Sequence, residues 1–300
     1  MTPEERKAAP VLSLEARLGA WRIPFEPRRI VCMTEEPTEI LYRLGEEDRV
    51  VGITAFTVRP PRARKIKPVV SQFIKADIEK IVALEPDLAF GFSDLQADIC
   101  AELIRRGIEV HCYKQHSVAE ILGMIRQLGA LVGVPEKANA LADEIAADLA
   151  EIEEAGRRFP RRPRVYFEEW HDPLIVGHGW VTELVEIAGG EDIFPEMRGA
   201  MLSRDRTLAG PEIVLERKPD VMLASWCGAK FRPDYLPRRA GWVDTPFMRE
   251  QRVFEIDSSI ILQPGPGALT AGVSAMHRLL ASVTGGTPAA AALKDDPWGV

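Results

Sequence analysis

Short apolar runs alternate with segments of helical spacing through the first half of the chain. RIVCM at 29–33 reads as a buried strand, and EPTEILYRLG at 36–45 follows with apolar positions three and four apart and a closing glycine. RVVGI at 49–53, DLAFGF at 87–92 and IEVHCY at 108–113 read as further strands, with helices between them opening at Asp77, Ser93 and Ser117. Ser93 with Gln96, and Ser117 with Glu120, have capping-box spacing, in which the serine and the residue three later satisfy free amides at a helix start. This alternation predicts a mainly parallel sheet covered on both faces.

From Pro135 the rhythm changes to PEKANALADEIAADLAEIEEAGRRF, a run of strong helix formers with Leu141, Ile145, Leu149 and Ile152 on one stripe. Some 22 such residues would extend about 33 Å, roughly the width of a small domain. The run reads as a strut between two lobes, the competing reading being a crossover helix within one larger sheet. A new strand, VYFEEW, begins after the basic RRFPRRPR. The second half then echoes the first. IEKIVALEPDLAFGF and PEIVLERKPDVMLASW each place a glutamate at a helix start, Glu79 and Glu212, with Pro-Asp seven residues on at Pro86 and Pro219. TEILYRLG from Thr38 has its counterpart in TELVEIAGG from Thr182. The organisation expected is an N-terminal arm at 1–27, an α/β lobe at 28–134, a linking helix at 135–160, a second α/β lobe at 161–284 and a tail at 285–300.

At 300 residues, 46% apolar and 28% charged, the chain has room for two lobes with cores of their own. A net charge of −7 argues against general affinity for nucleic acid or anionic membrane. No apolar run reaches the roughly 18 residues of a membrane span, and the N-terminus as written carries acidic residues and prolines rather than a secretory signal. Cys32, Cys100, Cys112 and Cys227 form no CxxC pair and read as scattered, half-buried thiols.

There is no nucleophile elbow, P-loop, dinucleotide fingerprint or HExxH motif, so no catalytic residue is assigned. FEEWHDP at 167–173 places Glu168, Glu169, His171 and Asp172 at a strand's C-terminal end, where open α/β sheets bind ligands. Either an acid-base or metal role or a polar cleft rim fits, although strand alternation turns Glu168 and Glu169 to opposite faces. His111, Cys112 and His116 would suit zinc if all three converged, and a strand-end loop if not. Phe56, Phe73, Phe92, Phe167, Trp170, Trp180, Trp226 and Trp242 fall at strand ends or loops, giving either core packing or the stiff contact area that grips a broad ligand. Arg59, Arg62, Arg64, Lys65 and Lys67 in a proline-rich loop and Arg157 to Arg164 after the strut read as solvated faces; if the loop cluster and Arg204 and Arg206 face the same cleft, they would favour an anionic ligand. PGPGALTAG at 264–272 leads into a final helix whose free amides could add to that.

RIVCMTEEPTEILYRLGEEDRVVGIT, IEKIVALEPDL, the strut, GPEIVLERKPDVML and GWVDTPFMREQRVFEID together resemble the helical-backbone substrate-binding proteins of ABC importers, the vitamin B12-binding members above all, over residues 28–284. The resemblance implies two Rossmann-like lobes bridged by one helix that permits little hinge closure, with a small-molecule ligand between them. That ligand would be cobalamin, another corrinoid or a similar metal chelate such as haem or a ferric siderophore, with no intrinsic cofactor and no resident metal. Glu79 and Glu212 match the glutamates that dock on the ABC permease, while a protein surface unrelated to transport is the other use open to them. Phe56, Phe73, Phe92 and Phe167 match the aromatic cleft lining, Trp170 extends it, and Arg59, Arg62 and Arg206 are the expected polar anchors. Ser259 stands where B12-binding members carry an acid, and Arg206 where they carry a tryptophan. The family is exported, so the absence of a signal implies either a sequence that begins after one or an intracellular relative. The latter could use Glu168, Glu169 and His171 for metal handling or catalysis.

Overall fold

The computed structural model describes residues 26–299; the rest of the expected N-terminal arm lies outside them. Strand β1 (Ile30–Cys32) is flanked by β2 (Val50–Thr54) and β5 (Leu88–Phe92), and the sheet runs β4-β3-β2-β1-β5-β6 with β3 (Val69–Gln72), β4 (Lys75–Ala76) and β6 (Glu109–Tyr113). All pairings are parallel except β3 with β4. Ile30 and Cys32 enter one apolar cluster and Val31 and Met33 another, because alternate side chains of a strand covered on both faces go opposite ways. Helices α1 (Glu35–Arg43), α2 (Pro61–Ile66), α3 (Ile78–Ala83), α4 (Ala97–Arg105) and α5 (Val118–Leu131) complete this lobe. The segment around Arg62 is therefore a helix and not a loop: Pro61 sits at its first position, where a missing N–H costs nothing.

The strut α6 spans Pro135–Arg157, 23 residues or about 35 Å, and buries Ala138, Ala142, Ile145, Leu149, Ile152, Ala155 and Gly156, with Leu141 only partly covered. The second sheet runs β11-β10-β7-β8, with β7 (Arg164–His171), β8 (Leu174–Val176), β10 (Val221–Ala224) and β11 (Val253–Glu255), while β9 (Glu191–Asp192) pairs the start of β7. Helix α7 (Gly179–Ile187), the short α8 (Glu212–Glu216), α9 (Pro246–Arg249) and α10 (Ser258–Ile261), and the C-terminal α11 (Val273–Thr284) surround it. The expectation of a separate core in each lobe is corrected. One apolar cluster runs from β1 and α5 through α6 to α7, Val165, Phe167 and α11, with smaller clusters on the outer faces.

The internal echo has an atomic basis. Helices α3 and α8 both end in a left-handed residue ahead of Pro-Asp, Glu85 (φ 47°) and Lys218 (φ 50°). In each lobe the aspartate accepts the backbone N–H of the arginine that opens the first strand: Asp87 from Arg29 at 3.0 Å and Asp220 from Arg164 at 2.9 Å. Each of those arginines turns its Nε onto the last helical carbonyls, Leu84 at 2.9 Å and Arg217 at 3.0 Å. Helices α1 and α7 close on Gly45 (φ 76°) and Gly189 (φ 97°), where the next amide bonds back to Leu41 and Val185.

The capping boxes form differently from their spacing. Ser93 accepts from Leu95 N–H, while Gln96 Oε1 accepts from Phe92 N–H at 2.9 Å. Ser117 does accept from Glu120 N–H, but the Glu120 carboxylate takes the amide of His116 at 2.7 Å.

Candidate functional site: the cleft between the lobes

The C-terminal ends of the parallel strands in an open α/β sheet form its binding edge. In the first lobe that edge carries Thr34 to Glu36 after β1, Phe56 after β2, Phe73 after β3, Phe92 to Gln96 after β5 and Lys114 to His116 after β6. Buried Gln96 organises it: its amide donates to Phe73 O at 2.6 Å and to Met33 O at 3.3 Å, and its oxygen holds Phe92 N–H. The Phe73 and Phe92 rings stand 6.2 Å apart, and Phe92 meets His116 edge-on. Phe56 is half exposed.

In the second lobe the edge carries Trp170 and His171 at the end of β7, Trp226 and Cys227 after β10, and Ser259 after β11. His171 stacks on Trp226 at 4.1 Å, and His178 stacks on Trp180 at 4.2 Å. Ser259 is buried and its Oγ has no partner among the described residues. Phe167 stands apart from this rim: it pairs with Leu223 in mid-strand, is 2% exposed and packs into the main core. Trp242 is likewise core.

The three arginines expected as ligand anchors are all paired with carboxylates. Arg59 is wholly buried, bonded to Asp296 at 2.6 Å and Glu39 at 3.2 Å. Arg62 reaches Glu47 at 2.5 Å and lies over the Tyr42 ring. Arg206, 1% exposed, reaches Glu169 at 2.5 Å, the Val176 carbonyl and His178. Burial alone would push the Glu169 carboxyl up, but His178 and Arg206 outweigh it and hold the group at about 2. The glycine-rich 264–272 segment is no anion cradle either. Gly267 N–H goes to Glu39, Pro264 O accepts Gln115, and a side chain at Gly265 or Gly267 would strike Glu36 or Arg59 at 2.9 Å. Its glycines serve the close approach of the second lobe to α1.

Glu168 and Glu169 do diverge as strand alternation requires. Glu168 is inaccessible, accepting from Arg239, Tyr166 and the Trp226 indole, so it positions that indole rather than facing ligand. His111 packs on Tyr113, and Cys112 turns the other way to meet Cys100 at 3.2 Å. Among the described residues no group of His, Cys, Asp and Glu side chains is placed to hold a metal ion, and no helix is long and apolar enough to cross a membrane.

Sequence reasoning missed the two acids that open α1, where the lobes meet. Glu36 is buried with Oε2 unpartnered among the described residues, and Glu35 accepts from Gln263 of the other lobe at 3.2 Å. Burial, then the neighbouring Glu36 charge, pushes the Glu35 carboxyl up to about 8. Their only signal was TEEPTE directly after the first strand, at the sheet's switch point between β1 and β5.

Two mainly parallel sheets joined by one long helix have the architecture of a two-lobed binding protein. The chain belongs to the periplasmic binding protein family, whose profile matches residues 30–260. It is 26% identical over 250 residues to the uncharacterized ABC transporter substrate-binding lipoprotein YvrC of Bacillus subtilis, covering 80% of this chain and 76% of that one. It is 24% identical over 247 residues to the vitamin B12-binding protein of Vibrio parahaemolyticus, covering 81% and 86%. The apo periplasmic heme-binding protein RhuT from Roseiflexus sp. RS-1 superposes with a TM-score of 0.72 at 26% identity, over 84% of this chain and 99% of that one. The vitamin B12-binding protein BtuF of Vibrio cholerae gives 0.69 at 21%, over 87% and 99%. This is a substrate-binding protein of the ABC-importer type. Such proteins carry a small ligand to a permease, and are neither enzymes nor holders of an intrinsic cofactor.

Proposed function

We propose that this chain carries a corrinoid between its lobes and hands it to an ABC permease. The aromatic rim of Phe56, Phe73, Phe92 and Trp170 supplies flat contact for a broad macrocycle. The observation that carries the choice of ligand is the state of the charges. Arg59, Arg62 and Arg206, the three expected polar anchors, are occupied by Glu39, Asp296, Glu47 or Glu169, while Glu35, Glu36 and the Ser259 hydroxyl lie at the lobe edges as acceptors or neutral donors. Such a lining suits the amide groups around a corrin and opposes the two carboxylates of haem, since a buried carboxylate needs a cation or several N–H donors. The vitamin B12-binding relatives support the same reading.

Absorbance titration with cyanocobalamin, cobinamide, haemin and a ferric siderophore tests it. Corrinoids should bind at micromolar concentration or below, with haemin at least about tenfold weaker, a difference of about 1.4 kcal/mol. Saturation by haemin with no response to either corrinoid would overturn the assignment.

A further inference from the structure

The four cysteines carry no pairing pattern in sequence, yet two of them meet. Cys100 on α4 and Cys112 on the edge strand β6 bring their sulfurs to 3.2 Å. Sequence separation is only 12 residues, so one helix-turn-strand unit carries both members of the pair. Gly91 lies beside Cys112 in the parallel register of β5 and β6. A Cβ at Gly91 would sit 3.0 Å from Cys100 Sγ and 3.1 Å from Cys112 Sγ, so glycine is what leaves room for both sulfurs. The two thiols also differ in access. Cys112 is exposed on the outermost strand of its sheet, whereas Cys100, on the buried face of α4, is 6% exposed.

We infer that Cys100 and Cys112 form an intramolecular disulfide when the protein meets a disulfide oxidant. The exposed Cys112 thiolate attacks one sulfur of a low-molecular-weight disulfide, expelling one thiolate, and Cys100 then displaces the second. One S–S bond replaces two S–H bonds, two electrons pass to the oxidant, and the two protons leave on its released thiols. The division of labour suits the pair: the Cys100 thiol donates to Cys112 and lowers the attacking group to about 7, close to neutral pH. The bridge would pin α4 to the sheet edge one turn beyond Gln96, the residue that ties together the Phe73, Phe92 and Met33 segments of the cleft rim.

The full chain, equilibrated with excess oxidised glutathione, denatured and alkylated without reduction, gives the test by mass spectrometry of a tryptic digest. Cleavage after Lys80, Arg105, Arg106 and Lys114 puts the two cysteines on separate peptides, 81–105 and 107–114. The expected product is those peptides joined, about 2 Da lighter than their sum, with Cys32 and Cys227 alkylated. In Cys112→Ser, Cys100 should be recovered alkylated. Alkylated Cys100 in the wild-type chain, with Cys112 either free or capped by glutathione, would overturn the inference, as would linkage of either residue to Cys32 or Cys227.

Discussion

Glu35 owes its chemistry to its setting. Its folded-state pKa of about 8 lies above the ordinary carboxyl value of 4.5, so between those limits the folded protein holds a proton that the unfolded chain releases. Stability contributed by the neutral carboxyl is present at low pH and declines as pH rises from about 4.5 to 8. Glu35→Gln keeps the shape and removes the titration. Melting temperature in a series from pH 5 to 9 should fall less steeply in the variant, and parallel curves would contradict this account. Sequence could not show this, because Glu35 and Glu36 read as an ordinary acidic first turn favoured by the helix dipole. Arg59 and Arg206 misled for the opposite reason. A basic residue near a cleft reads as a ligand contact until its partner is known, and their partners Asp296, Glu39 and Glu169 lie 237, 20 and 37 residues away.

Elements were far more legible, since a 3.6-residue apolar period or a short β-branched run is a local property. The strut, the β1–α1 unit and the paired Glu79 and Glu212 segments all stand where the pattern put them. The helix at Pro61–Ile66 was hidden by its prolines and charges. What the period leaves open is how closely elements approach. Gly156 of α6 meets Gly189 after α7 so tightly that an added Cβ would lie 2.8 Å from Gly189 Cα, with backbone and not a pliable side chain in the way. Gly123 on α5 has none of the described residues within 4 Å of the same position. Urea unfolding should show Gly156→Ala less stable by about 1–3 kcal/mol from overpacking, and Gly123→Ala more stable by about 0.5–1 kcal/mol from helix propensity. Equal effects at the two sites would exclude close approach as the cause.

At the scale of the whole molecule, the tail expected after residue 284 is an integral strap. Lys294 pairs with Asp148 on the strut, Asp296 with Arg59, and the Trp298 indole with Glu39. The lobes are joined as well by Gln115 to Pro264 and by Val118 to Glu183. Glu79 and Glu212 are both exposed at helix starts on the two lobes, Glu79 bonded to Arg106 at 2.8 Å. Under the proposed docking role, reversing both to lysine should leave ligand titration unchanged and abolish capture by the permease. Capture that survives the double reversal would assign these acids to some other surface.

The shared core and the 35 Å strut have a consequence for how loading is signalled. A receptor that closes like a jaw reports its cargo through the changed distance between its two halves. Here the single connecting helix and the shared core predict that this distance changes little on loading, like a calliper set to one opening. Under the proposed docking role, a permease reading only Glu79 and Glu212 would then meet the same spacing full or empty, and the signal that cargo is aboard would come from the rim or from the cargo itself.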